Sequence, residues 1–189
     1  MWAGWGGKRA VLMRMVQALR IPLGGHRGYV ADVPGRVDRL VFVCAGNICR
    51  SPFGEHLARR AGVPAVSMGL HATTGSPADP AALRHAQRQG IDMGAHRATW
   101  FDPALVNEHD LVLAFELWQV QALAQALQGR QVSVRLLGGF LGPLSYHIHD
   151  PYGLHDDYFA LCFATICRAF DAMHAQLKLP RNPGAPCGS

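Results

Sequence analysis

The passage from residue 39 to residue 52 restricts the fold more than any other. Arg39-Leu40-Val41-Phe42-Val43-Cys44 is a short apolar run rich in β-branched residues, the pattern of a strand covered on both faces. It stops at the turn signal Ala45-Gly46-Asn47, and Pro52 then stands where a first helical turn tolerates proline. A buried strand that runs through a tight turn into a helix opens a parallel βαβ unit. The alternation continues down the chain. Phe53 through Ala61 reads as helix closed by Gly62, and Pro64-Ala65-Val66-Ser67 as a second strand. Residues 68–78 form a Gly/Thr/Ser/Pro loop, and Asp79-Pro80 caps a helix that reaches Gly90. Residues 110–115 and 132–137 read as two more strands, with a helix between them that ends near Gln128. A Gly/Pro/His loop spans 138–153, and an amphipathic helix runs from about residue 155 to 177. The expected fold is a single α/β domain, a four-stranded parallel sheet with helices on both faces, doubly wound.

The formal charge of +5 invites a nucleic-acid or membrane reading until its position is considered. Residues 1–39 carry seven basic and two acidic side chains, the whole excess, whereas residues 40–189 carry eleven of each. Trp2, Trp5 and Tyr29 offer little stacking surface interleaved with the basic residues of that segment, so nucleic acid is not an expected partner. Residues 1–38 read as a basic extension and linker, 39–178 as the domain and 179–189 as a tail. For the extension three readings stay open: an amphipathic helix against a membrane or partner, a frayed extension, or a start placed upstream of the real one, with Met13 and Met15 at hand. Five cysteines, an odd number in a chain of 189 residues, fit reduced thiols of the cytoplasm better than a disulfide scaffold.

Chemistry concentrates in the turn after the first strand. Gly46 and Asn47 tolerate the positive φ that lets successive backbone N–H groups converge on an anion. The next helix adds its positive end, and Arg50 a planar fork matched to two phosphate oxygens. A thiol at residue 44 stands in that positive field, which favours the thiolate nucleophile, and Ser51 can donate a hydrogen bond to it. Cys-x5-Arg on a strand–loop–helix is thus a phosphate cradle with a built-in nucleophile. A zinc reading of Cys44 and Cys49 fails for want of a second pair. His147, His149, Asp150 and His155 also suggest a metal site, but irregular spacing in a loop stands against it, and no metal or cofactor is expected.

Cys44-Ala45-Gly46-Asn47-Ile48-Cys49-Arg50-Ser51-Pro52 resembles the signature loop of the low-molecular-weight protein tyrosine phosphatases. Asp150-Pro151-Tyr152 resembles that family's general-acid loop, and Gly90-Ile91-Asp92-Met93-Gly94-Ala95-His96-Arg97-Ala98 its mid-chain stretch. The likeness runs from about Leu40 to Ala175. It implies hydrolysis of phosphotyrosine and aryl phosphates through a phosphocysteine on Cys44. Arg50 and the backbone of residues 45–51 (Ala45, Gly46, Asn47, Ile48, Cys49, Arg50 and Ser51) would bind phosphate, with Asp150 as general acid and base. Asn47, Ser51, Ser67 and His96 would brace the loop, Tyr152 would form one pocket wall, and Cys49 would form a reversible disulfide with Cys44. The implied partner is a phosphotyrosine protein, such as a bacterial tyrosine kinase of exopolysaccharide export, met by a monomer or weak dimer.

Some positions depart from the family pattern. The loop that often carries an aromatic wall reads His71-Ala72-Thr73-Thr74-Gly75, Gly153 replaces a second tyrosine, and Phe115-Glu116 stands where Met-Asp is frequent. Arsenate reduction on the same fold needs two further cysteines after the third strand, and residues 110–125 have none. Arginine phosphatases of the family carry Thr at the position of Ile48, and a phosphotyrosine-binding pseudoenzyme would lack the set Cys44, Arg50 and Asp150.

Overall fold

Leu40, Phe42 and Cys44 turn to one face of the first strand and Val41 and Val43 to the other, and all five are buried. Such a strand needs cover on both sides. The computed structural model describes residues 35–142, 146–179 and 182; the expectations for residues 1–34 and for most of the tail lie outside the described residues. Strands β1 (Arg39–Cys44), β2 (Ala65–Gly69), β3 (Asp110–Ala114) and β4 (Ser133–Leu136) form one parallel sheet in the order β2-β1-β3-β4. The helices are α1 (Arg50–Arg60), α2 (Pro80–Arg88), α3 (Leu117–Ala126) and α4 (Asp156–Leu177).

Two apolar layers sandwich the sheet. Phe53 and Leu57 of α1, Ala82 and Ala86 of α2, and Phe159, Phe163 and Phe170 of α4 pack with Leu40, Phe42, Leu111 and Leu113. Phe53 and Phe163 stack with centroids 3.9 Å apart, tying α1 to α4. On the other face Val120, Leu123 and Leu127 cover Val41, Val43, Val112 and Leu136. Burying each large apolar side chain contributes about 1.5–3 kcal/mol. Two close approaches require glycine. A Cβ on Gly54 would stand 2.6 Å from the Phe42 ring, so α1 lies directly on β1. A Cβ on Gly69 would stand 2.7 Å from the Ala45 carbonyl oxygen and 2.8 Å from the Asn47 nitrogen, so β2 presses on the loop after β1.

Element boundaries differ from expectation where backbone pairing continues past the side-chain pattern. β2 extends to Gly69, because Met68 and Gly69 pair with Val43 and Cys44. α1 begins at Arg50, so Ser51 and Pro52 lie in its first turn. The loop after β4 opens with a 3-10 turn at Leu137–Leu141, and a second 3-10 turn at Pro103–Leu105 is capped by Asp102. Asp79 accepts from the N–H groups of Ala81 and Ala82, as its place before Pro80 predicts. The chain leaves β1 for β2 on one side and returns to β3 on the other. The crevice at the carboxyl ends of β1 and β3 is therefore the topological switch point, where doubly wound sheets hold ligands.

Candidate active site

Cys44 ends β1 in that crevice. Its Sγ lies 3.0 Å from Ser51 Oγ and accepts from the Asn47 N–H at 3.3 Å. Asn47 has φ +53°, the left-handed turn that asparagine tolerates, and every polar group it owns is engaged. Its side-chain NH₂ donates to Ser51 Oγ and to Ser67 Oγ, both at 2.8 Å. Its Oδ1 accepts from the Thr99 N–H at 2.8 Å, and its carbonyl accepts from His96 Nε2–H at 2.8 Å. These bonds constrain the direction of the protons. Ser51 accepts from Asn47, which leaves its own hydrogen for the sulfur or for the Met68 carbonyl at 3.4 Å; Ser67 donates onward to Glu55 Oε2. Asn47, Ser51, Ser67 and His96 thus converge on the loop after β1, and Glu55 of α1 closes the chain of bonds.

The other side of the crevice is charged. Arg50, fully buried, donates through Nη1 to Glu116 Oε2 and to the Ile148 carbonyl, both at 2.9 Å, and through Nη2 to Asp150 Oδ2 at 2.5 Å. Its guanidinium also lies 5.6 Å from the Phe115 ring centroid, and its Nε has no protein partner. Burial opposes the charge, but Asp150, Cys44 and Glu116 outweigh it and hold Arg50 more firmly cationic than an ordinary arginine. Burial would raise the Glu116 carboxyl; His149 beside it and the Arg50 charge prevail and draw it down to about 2. The Arg50–Glu116 pair explains the residue after Phe115. Glu116 was not among the residues expected at the site, and its signal was the departure from Met-Asp.

Cys49 is buried at the head of α1, where burial foremost pushes its thiol well above the ordinary range. Ile48 lies over Gly46 and is half-buried. Tyr152 is exposed beside the acid loop, and its N–H donates to Asp150 Oδ1 at 3.2 Å. Aromatic surface missing from residues 71–75 arrives from elsewhere. Trp118 stacks on His71 with centroids 5.7 Å apart, and its Nε1–H donates to Glu116 Oε2 at 3.2 Å. His71 in turn donates its N–H to the Ala45 carbonyl at 2.8 Å, and Trp100 meets the same ring edge-on. Only the folded sheet brings residue 118 next to residue 71, so local spacing could not show it.

His147 and His149 face Glu116 rather than His155, whose Nδ1 sits 3.4 Å from Asp157 at the exposed head of α4. Cys162 and Cys167 are buried in α4, as expected. Cys167 is disulfide-bonded, which departs from reduced thiols throughout.

The sheet and crevice define an α/β protein with a thiol and a buried arginine at its topological switch point. Residues 39–182 match the profile of the low molecular weight phosphotyrosine protein phosphatases. The chain is 36% identical over 144 residues to a probable low molecular weight protein-tyrosine-phosphatase, EpsP, of Ralstonia solanacearum, covering 75% of this chain and 97% of the relative. Vibrio vulnificus Wzb in complex with benzylphosphonate superposes with TM-score 0.67 at 30% identity, over 75% of this chain and 99% of that one. The YwlE arginine phosphatase carrying a phosphorylated active-site serine superposes with TM-score 0.68 at 26% identity, over 74% and 95%. The chain belongs to the low-molecular-weight protein-tyrosine-phosphatase family and is a hydrolase of phosphoric monoesters. No helix among the described residues is long and apolar enough to cross a membrane.

Proposed function

We propose that the chain hydrolyses phosphotyrosine by two in-line displacements at Cys44. The observation that carries this reading is the meeting of Cys44, Arg50 and Asp150 at one crevice, with Arg50 Nη2 2.5 Å from Asp150 although the two are 100 residues apart. In the first step the Cys44 sulfur attacks phosphorus, the P–S bond forms and the P–O bond to the ring breaks. Asp150 gives its proton to the departing phenolate. In the second step the Asp150 carboxylate takes a proton from water, water attacks phosphorus, and the P–S bond breaks to return the thiolate and release phosphate.

Loop amides and Arg50 would hold the equatorial oxygens, with the unpartnered Nε aimed for one of them. Asp150 must leave Arg50 as phosphate arrives, because both want the same guanidinium. Ser51, fixed by Asn47, steadies the sulfur as nucleophile and as leaving group. Tyr152 and the Trp118–His71 stack would flank the phenyl ring. The phosphorylated active-site serine of the YwlE relative and the benzylphosphonate of the Vibrio relative support such chemistry on this fold. Ile48 over the loop mouth favours a planar phenol over a guanidine-linked phosphate. Cys162 and Cys167, buried in α4, are poorly placed to relay a disulfide for arsenate. Cys49, buried and held as the thiol, would resolve an oxidised Cys44 slowly.

The family resemblance extends the reading to a phosphorylated protein substrate in the cytoplasm, a tyrosine kinase of exopolysaccharide export being the leading case. Cys44→Ser should lower p-nitrophenyl phosphate turnover by about four to six orders of magnitude. Undiminished turnover would end the mechanism. The same variant, used to retain phosphoproteins from a lysate, identifies the substrate.

A further inference from the structure

Among the described residues, Glu116, His147 and His149 bring one ligand atom each to within 4.8 Å of one another, all half-buried. The stretch that carries the two histidines is anchored between them. Ile148 is buried, its N–H donates to the Phe115 carbonyl at 2.9 Å, and its own carbonyl receives Arg50 at 2.9 Å. A stretch pinned at its middle residue in this way presents residues 147 and 149 together, and their rings lie 5.7 Å apart at a 31° tilt. Glu116 divides its carboxylate. Oε2 accepts from Arg50, Trp118 and Gln119, while Oε1 turns to His149 Nδ1 at 3.8 Å. His149 Nε2 is buried with no hydrogen-bond partner, a costly state for a ring nitrogen.

We propose that Glu116, His147 and His149 form a zinc-type transition-metal site beside the phosphate cradle, which holds the enzyme with Asp150 closed on Arg50. Two imidazoles and one carboxylate oxygen are a donor set suited to Zn²⁺, with a fourth position left for water. Calcium and magnesium prefer more oxygen ligands than this cluster has. Tetrahedral zinc sets its ligand atoms about 3.3 Å apart, from bonds of about 2.0–2.1 Å, a contraction that side-chain rotation supplies. Glu116 then bridges the metal and Arg50 through its two oxygens. His149 precedes Asp150, so a metal on His149 restrains the acid at the place where phosphate must enter. Zinc is therefore a reversible inhibitor competitive with phosphate. This effect on turnover rests on the proposed phosphatase reading; the metal site itself does not.

The test separates this cluster from the Cys44 thiolate, which binds zinc by itself. Cys44→Ser protein titrated with Zn²⁺ by calorimetry should take up one equivalent, and Cys44→Ser/His147→Ala should bind about a hundredfold more weakly. Far-ultraviolet circular dichroism checks that both are folded, and His149→Gln in the same background provides a second ligand variant. His147→Ala alone should keep metal-free turnover while its zinc inhibition constant, measured against inorganic phosphate, rises by a similar factor. No zinc uptake by Cys44→Ser protein, or equal uptake by the folded double variant, overturns the site. Zinc uptake by Cys44→Ser protein with no phosphatase activity in the parent would instead overturn the reading of function and leave the site standing.

Discussion

In the loop at residues 44–51, Asn47 alone is held through its N–H, its carbonyl and all three hydrogen-bonding positions of its side chain. The acid loop at residues 146–153 is tied down at its middle, Ile148 to Phe115 and Arg50, His149 to Glu116 and Cys162, and Asp150 to Arg50, and it opens to solvent at Asp150 and Tyr152. Asp150 is 40% exposed and Tyr152 61%, whereas Asn47, Arg50 and Ser51 are fully buried. On the proposed mechanism the difference follows the work of each region. A cradle for a dianion must be in place before the substrate arrives, since reorganising amides during reaction would cost the stabilisation they provide. A general acid that serves a leaving group and then a water must shift, and a solvent-exposed side chain permits it.

Changes at the two loops should therefore fail in different ways. Asp150→Asn should slow phosphotyrosine hydrolysis by about 10²–10³-fold, with a smaller loss on p-nitrophenyl phosphate, whose leaving group needs less help. Its urea midpoint should fall only modestly, because Glu116 and the Ile148 carbonyl still partner Arg50. Equal losses on both substrates would remove Asp150 from the acid role. Asn47→Ala should instead lower stability, by about 3 kcal/mol, because it strips buried donors from Ser51 and Ser67 and orphans the Thr99 N–H. Equilibrium unfolding in urea measures this. A midpoint shift worth less than about 0.5 kcal/mol, as expected for Tyr152→Ala at the exposed acid loop, would show that the bracing is not what holds the cradle.

Glu116 links the two regions and gives the comparison a pH dependence. Its carboxyl lies at about 2 against an ordinary value of 4.5, so folding favours the ionised form. The stability it contributes is complete above its unfolded value and is lost as pH falls from about 4.5 toward 2, on the order of 2–3 kcal/mol. Glu116→Gln should therefore be less stable than the parent at neutral pH, with the gap closing as pH drops. A gap of constant size in urea titrations at pH 7 and pH 3 would contradict the pairing with Arg50 and His149. The smallest effect is expected at the rim. Trp118→Ala should raise KM for aryl phosphates by about tenfold while an alkyl phosphate is unaffected, and equal changes for both would deny Trp118 a place against the ring.

Much of the cradle was legible because its parts are adjacent in the chain. Cys44, Asn47, Arg50 and Ser51 lie within one strand–turn–helix, and local backbone preference already brings them together. Ser67 and His96 were reached through resemblance, and the hydrogen bonds of Asn47 account for them physically. Glu55, Glu116 and Trp118 were not expected, since each acts across elements distant in sequence. The metal reading shows the same limit. Spacing grouped His147 and His149 with Asp150 and His155, while folding replaces those two with Glu116.

The sequence by itself determined the alternation of strand and helix, the doubly wound sheet and the strand–turn–helix that carries Cys44, Asn47, Arg50 and Ser51. Apolar runs, caps and turn residues act over a few positions, and a few positions suffice to express them. Tertiary structure decided what stands around the cradle. Strand order β2-β1-β3-β4 places the end of β3 beside the end of β1, and so sets Glu116 on Arg50 and Trp118 on His71. Those contacts depend on which strands are neighbours, a global property of the packed sheet that no local pattern encodes.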